Sequence, residues 1–178
     1  MAQSLARGRA RPAWRPGPGV DFTDLPAAVA AAADGDLILV EDGVYSPFTV
    51  AGKALAIVGE AGASARVAGP VVGAPLAVVR DLGPAQSVLL QGLELDNNAP
   101  VVPFEAEFPG AALEVRDCAG PVWVEGCRIE KTGAGGVVHA VGADALTLVR
   151  CTLAGGTSFI TTAPFQTPLV GSSPLSCP

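Results

Sequence analysis

Four segments of this chain align with one another without gaps, and that repetition restricts the fold more than any other feature. They are Leu55-Ala56-Ile57-Val58-Gly59-Glu60, Val88-Leu89-Leu90-Gln91-Gly92-Leu93-Glu94-Leu95, Val122-Trp123-Val124-Glu125-Gly126-Cys127-Arg128-Ile129 and Leu146-Thr147-Leu148-Val149-Arg150-Cys151-Thr152-Leu153. Their starts lie 33, 34 and 24 residues apart. The shortest spacing suits one coil of a β-helix. The longer two need insertions of roughly ten residues, which in repeat proteins map to loops. Residues 99–110 and a stretch within 61–75 are the candidates.

Strand alternation assigns faces within the repeat. Leu55/Val88/Val122/Leu146 and Ile57/Leu90/Val124/Leu148 point inward. Leu93/Cys127/Cys151 and Leu95/Ile129/Leu153 continue the inward columns past a bend at Gly59/Gly92/Gly126/Arg150. One coil cannot bury its apolar side alone, so stacking must make the core. Further β runs are expected at 37–40, 48–50, 76–79, 113–115 and 137–141, with turns rich in Gly, Pro, Asp and Asn between them. Upstream, residues 24–33 read as a helix. Thr23 or Asp24 can cap it, Pro26 sits in its first turn and Gly35 ends it. Leu25, Ala28, Val29 and Ala32 share one face, which can cover the open edge of the first coil. No second long helix appears, which excludes a doubly wound α/β fold. The expected fold is all-β: a short right-handed parallel β-helix of about four to five coils with an N-terminal α-helical cap. Residues 1–20 form an arm or linker, 21–156 the β-helix domain, and 157–178 a Ser/Thr/Pro tail. That tail can cap the last coil through Phe159, Ile160 and Phe165.

Composition agrees with thin stacked layers. Hydrophobic residues make up 49% of the chain but aromatics only 5%, with 22 glycines and 16 prolines. The core must therefore use mainly Ala, Val and Leu. The formal charge is −6, divided unevenly. Arg7, Arg9, Arg11 and Arg15 lie in a leading arm without acids, and the remaining seven basic and 17 acidic residues give −10. An acidic body disfavours nucleic acid as a partner, because phosphate neutralisation needs Lys and Arg. No stretch is long and apolar enough for a membrane span, and the start has no signal-peptide h-region. The four cysteines lack C-x-x-C spacing, and one histidine nearly excludes imidazole metal sites and triads.

Gly19-Val20-Asp21-Phe22-Thr23, Ala28-Val29-Ala30-Ala31-Ala32, Asp42-Gly43-Val44-Tyr45, Thr49-Val50 and Ile57-Val58-Gly59-Glu60 together resemble the N-terminal region of pectin-lyase-like β-helix proteins. Their order is similar to the start of pectin methylesterases. The resemblance implies the right-handed parallel β-helix and work on acidic polysaccharides, which also points to an extracellular or cell-surface location. Pectin methylesterases carry a Gln, two Asp and an Arg in separate motifs on later coils. No segment here matches those, nor the Asp/Arg set of pectate lyases or the Asp/His motifs of polygalacturonases. No catalytic residue is carried over.

Two outward patches remain as candidates. Trp123, in the row Ala56/Leu89/Trp123/Thr147, can serve as a platform for a sugar ring, with Glu125 or Gln91 accepting hydroxyl hydrogen bonds. The structural alternative is that the insertion with Phe104 and Phe108 folds over Leu89 and Trp123. Asp96 and Glu130 fall side by side in the row Asp96/Glu130/Ala154, next to Glu94/Arg128/Thr152. With Asn97 or Asn98 they could hold Ca2+, share a proton, or act as an acid/base pair on a glycosidic bond. The alternative is a structural ion ladder, with Glu94 paired to Arg128 and with Arg128 and Lys131 neutralising the two acids. No motif demands a cofactor. His139 can face either way, because a one-residue shift inverts its strand. Cys127 and Cys151 read as small apolar members of one column, while Cys118 and Cys177 have no assigned place. The expected function is a non-catalytic binding or structural module. The alternatives are a polysaccharide-degrading enzyme and a self-associating unit whose last coil stacks on a neighbour.

Overall fold

The computed structural model describes residues 13–14, 22–69, 74–97, 111–132, 136–155 and 160–162. The described residues wind through five three-sided coils after a short leading strand, β1 (Ala13–Trp14), and one helix, α1 (Leu25–Ala31). The first coil contains β2 (Asp36–Val40), β3 (Gly43–Tyr45) and β4 (Phe48–Ala51), and the second β5 (Leu55–Gly59), β6 (Ala65–Ala68) and β7 (Ala77–Arg80). The third has β8 (Val88–Gln91), β9 (Leu93–Asn97) and β10 (Leu113–Cys118), and the fourth β11 (Val122–Glu125), β12 (Arg128–Lys131) and β13 (Val138–Ala143). The last has β14 (Leu146–Val149), β15 (Thr152–Gly155) and β16 (Ile160–Thr162). Equivalent strands pair in parallel into three sheets, ordered β1-β2-β5-β8-β11-β14, β3-β6-β9-β12-β15 and β4-β7-β10-β13-β16. This is a short parallel β-helix with a helical cap.

The register follows the repeat. Val88 pairs with Val122 and Val122 with Leu146, while Leu90, Val124 and Leu148 form the next column. Leu95, Ile129 and Leu153 stack beyond the bend. Ile57, Leu90, Leu95, Val124 and Ile129 are each no more than 1% exposed, so the columns form the core. The three longer repeated segments are each two strands, broken at the bend, while the first holds β5 alone. Asp36–Val40 is a fifth member of the first sheet, with Ile38 opposite Ile57. Asp36 ends the inward column of Leu55, Val88, Val122 and Leu146 as a buried carboxylate, and its Oδ2 accepts from the Ala33 amide at 2.7 Å.

The helix is shorter than the expected 24–33. Asp24 stands outside it as N-cap, accepting from the Leu25 amide at 2.8 Å, and Ala32 is already extended. Leu25, Ala28 and Val29 are buried against β4 and β2. The helix does not cover the edge of the first sheet by itself: Ala13 and Trp14 pair with Leu37 and Ile38 there. At the other end of the helix, Lys53 Nζ donates to the Val29 carbonyl and, at 2.8 Å, to Ala32. These carbonyls have no intrahelical partner. Replacing Lys53 with Met keeps the aliphatic stem and removes both bonds. The expected loss is about 1–2 kcal/mol, read as a Tm lower by a few degrees.

Coil length varies at particular corners. β9 ends at Asn97 and β10 begins at Leu113, and the expected insertion 99–110 lies outside the described residues. The extra residues of coil two are divided among 60–64, 69–76 and 81–87, so the expected stretch within 61–75 takes part of them and the turn at 81–87 the rest.

Candidate functional site

The first sheet turns into the second through very little chain. Coil three turns at Gly92 alone and coil four at Gly126-Cys127, whereas coil two takes five residues, 60–64. Gly92 and Gly126 have φ of +65° and +59°, a region that strains residues with a Cβ. Arg150 occupies the same bend in coil five with φ +52°. The bend amides run from coil to coil, with Gly92 N–H donating to the Glu125 carbonyl at 3.0 Å and Gly126 N–H to Val149 at 2.9 Å.

A bend without side chains, beside a longer turn, makes a trench. The resulting groove has a volume of about 960 Å³. Gly59, Gly92 and Gly126 lie in it, the turn at 60–63 lines it, and Gln91, Glu125, Arg128 and Arg150 bring the polar groups. A Cβ at Gly126 would meet nothing within 4 Å, so this part is open.

Gln91 and Glu125, both expected as binding residues, pair in register and line this groove. Trp123 does not line it. It stands two residues before Glu125 on the same outer face, roughly 6.6 Å away along the strand, and is 47% exposed. Its neighbours in the outward row are Leu89 and Thr147, as expected. The insertion with Phe104 and Phe108 lies outside the described residues, and so does Asn98. Arg150 was not foreseen as a site residue. It pairs with Glu125 across adjacent coils and is largely exposed. A pair this open contributes at most about 1 kcal/mol and yields readily to a ligand.

The second patch is on the outer face of the second sheet. Asp96 and Glu130 are direct neighbours in register. Arg66, on a strand that the repeat did not reveal, pairs with Asp96. Arg128 holds Glu130 through Nη2 at 2.6 Å and Nε at 2.8 Å, and this pairing raises the pKa of its exposed guanidinium. Glu94 accepts from Ser64 Oγ at 3.3 Å. Asp96 Oδ1 is buried without a hydrogen-bond partner. Asn97 and Lys131 alternate to the other side of their strands and are buried. Asn97 Nδ2 donates to the Ala74 carbonyl at 3.2 Å, and burial lowers the Lys131 ammonium pKa. The structure thus brings Asp96 and Glu130 together and turns Asn97 away from them. Among the described residues no three His, Cys, Asp or Glu side chains group as metal ligands.

The single histidine faces outward. His139 Nδ1 lies 3.9 Å from Glu114 Oε1, which also takes Arg116 Nε at 2.8 Å. Cys118, Cys127 and Cys151 are free thiols, and Cys177 lies outside the described residues. Among the described residues no helix is long and apolar enough to cross a membrane.

The fold places the chain among parallel β-helix proteins. No family model matches it, and neither a curated protein nor a solved structure does so.

Proposed function

We propose that this protein is a non-catalytic carbohydrate-binding module of the pectin-lyase-like type, working on polysaccharide outside the cell. The observation that carries this reading is the exposed indole of Trp123 on the same strand face as Gln91 and Glu125, two residues along the strand from the groove that these two line. The indole offers an apolar face to a sugar ring, and Gln91 and Glu125 accept from its hydroxyl groups. The groove holds Glu60, Glu94 and Glu125 against Arg128 and Arg150. Both arginines already have acidic partners. An acidic glycan therefore binds only by displacing Glu125 or Glu130, while a neutral one needs no such exchange.

Affinity gels containing pectin, alginate or a neutral glucan test the reading. The wild-type chain is expected to be retarded on at least one of them, with no sugar released in a product assay. Trp123→Ala is expected to weaken retardation about tenfold, the scale of one aromatic contact. Product release that disappears in Asp96→Asn or Glu130→Gln would establish the enzymatic alternative instead.

A second reading has its own observation. Leu148, Cys151 and Leu153 in the last coil are only partly buried, unlike their counterparts in coils three and four. The first coil has β1 and α1 at its end, and among the described residues no such element stands over β14 and β15, which makes the last coil the end to associate. Two copies would meet tail to tail and close as a dimer, which sedimentation against concentration would detect.

A further inference from the structure

We propose that Cys127 and Cys151 are a paired redox staple, which closes to a disulfide under an oxidant of the glutathione disulfide type and fastens the last coil to the fourth. The proposal rests on register. Arg128 pairs with Thr152, and Thr152 N–H donates to the Cys127 carbonyl at 2.9 Å, so the two cysteines stand opposite each other one residue earlier. Paired parallel strands hold their Cα atoms roughly 4.8 Å apart, within the span a disulfide accepts. Both side chains face the interior. Cys151 Sγ leans to the Val124 carbonyl at 3.3 Å, toward the coil that carries Cys127. Cys127 Sγ leans the other way, to Leu90 at 3.6 Å, so closure needs a rotation of Cys127 about its Cα–Cβ bond.

The two thiols differ in a way that orders the reaction. Cys127 is 3% exposed, and burial pushes its pKa up to about 11. Cys151 is half-buried on the last coil. The Cys151 thiolate, after losing its proton to water, attacks one sulfur of glutathione disulfide. An S–S bond to Cys151 forms and one glutathione thiolate leaves. The Cys127 thiolate then attacks the Cys151 sulfur and expels the second glutathione. Two protein thiols are oxidised, one glutathione disulfide is reduced to two glutathione thiols, and the protons pass through solvent. The bond falls where the core is least covered, since Leu148 and Leu153 beside it are only partly buried. Cys118 sits apart in the third sheet, its Sγ 3.1 Å from the Arg116 carbonyl.

The test uses the full chain with Cys118→Ala and Cys177→Ala, treated with glutathione disulfide under native conditions. The expected result is loss of both remaining thiols, an intact mass lower by two hydrogens, no attached glutathione, and a peptide cross-linked between 127 and 151. Amide exchange across 146–155 should slow at least tenfold on oxidation. Glutathione retained on Cys151, or two thiols that persist, would overturn the pairing. Unchanged exchange would overturn the fastening. Cys127→Ala in the same background should keep one glutathione on Cys151, and its absence would overturn the order of attack. Thiol mapping of the otherwise unaltered chain repeats the first readout without any substitution.

Discussion

Val124→Asp is expected to abolish folding. Val124 is 1% exposed in the column Ile57/Leu90/Val124/Leu148, with the coils on both sides supplying only apolar neighbours there. The substitution removes about 1.5–3 kcal/mol of apolar burial and adds several kcal/mol for an unpaired buried carboxylate. A domain of this size has about 5–15 kcal/mol in all. Trp123→Asp is the control, since it puts the same charge one residue earlier on the opposite face. It should leave a cooperative melt and a β-rich circular dichroism spectrum, whereas Val124→Asp should show neither. A soluble Val124→Asp protein with unchanged melting would mean that the strand faces are inverted.

Removing residues 1–33 is expected to make the chain aggregate. The deletion takes away β1 from the edge of β2 and strips α1 from β2 and β4. Two parallel strand edges, and the apolar surface that Leu25, Ala28 and Val29 cover, then face solvent. Unpaired edges recruit other chains. Light scattering that rises with concentration is the expected readout, together with loss of the monomer peak on size exclusion. Leu25→Asp combined with Val29→Asp should give a milder version, because β1 still closes the sheet edge. A truncated protein that stayed monomeric with the same Tm would show that neither element caps the helix.

The register of the repeated segments was legible because a strand has a side-chain period of two and the bend recurs at a fixed offset. Gly92 and Gly126 mark it, and Arg150 in their place shows that the coil geometry imposes the left-handed conformation even without glycine. The short strands Gly43–Tyr45 and Ala65–Ala68 were not legible, because three or four residues carry too little alternation to stand out from a turn. Missing Ala65–Ala68 meant missing Arg66, and with it the partner of Asp96. Lys131 was expected beside the acids, and its position on the buried side of β12 follows from the same alternation that exposes Glu130.

The sequence by itself determined the β-helix, its apolar columns, the bend that divides each repeated segment and the presence of a capping helix. All of these follow from local periodicity and from turn residues a few positions apart. Tertiary structure alone decided the rest. The alignment already set Gln91 beside Glu125, but Arg150 joins them in one groove because the turn of the last coil brings residues 25 positions apart into contact. The trench exists because coil two turns its corner in five residues while coil three uses one. Such contacts depend on how many residues each corner absorbs. No local pattern encodes that number, since it is set by which strand registers bury the columns together.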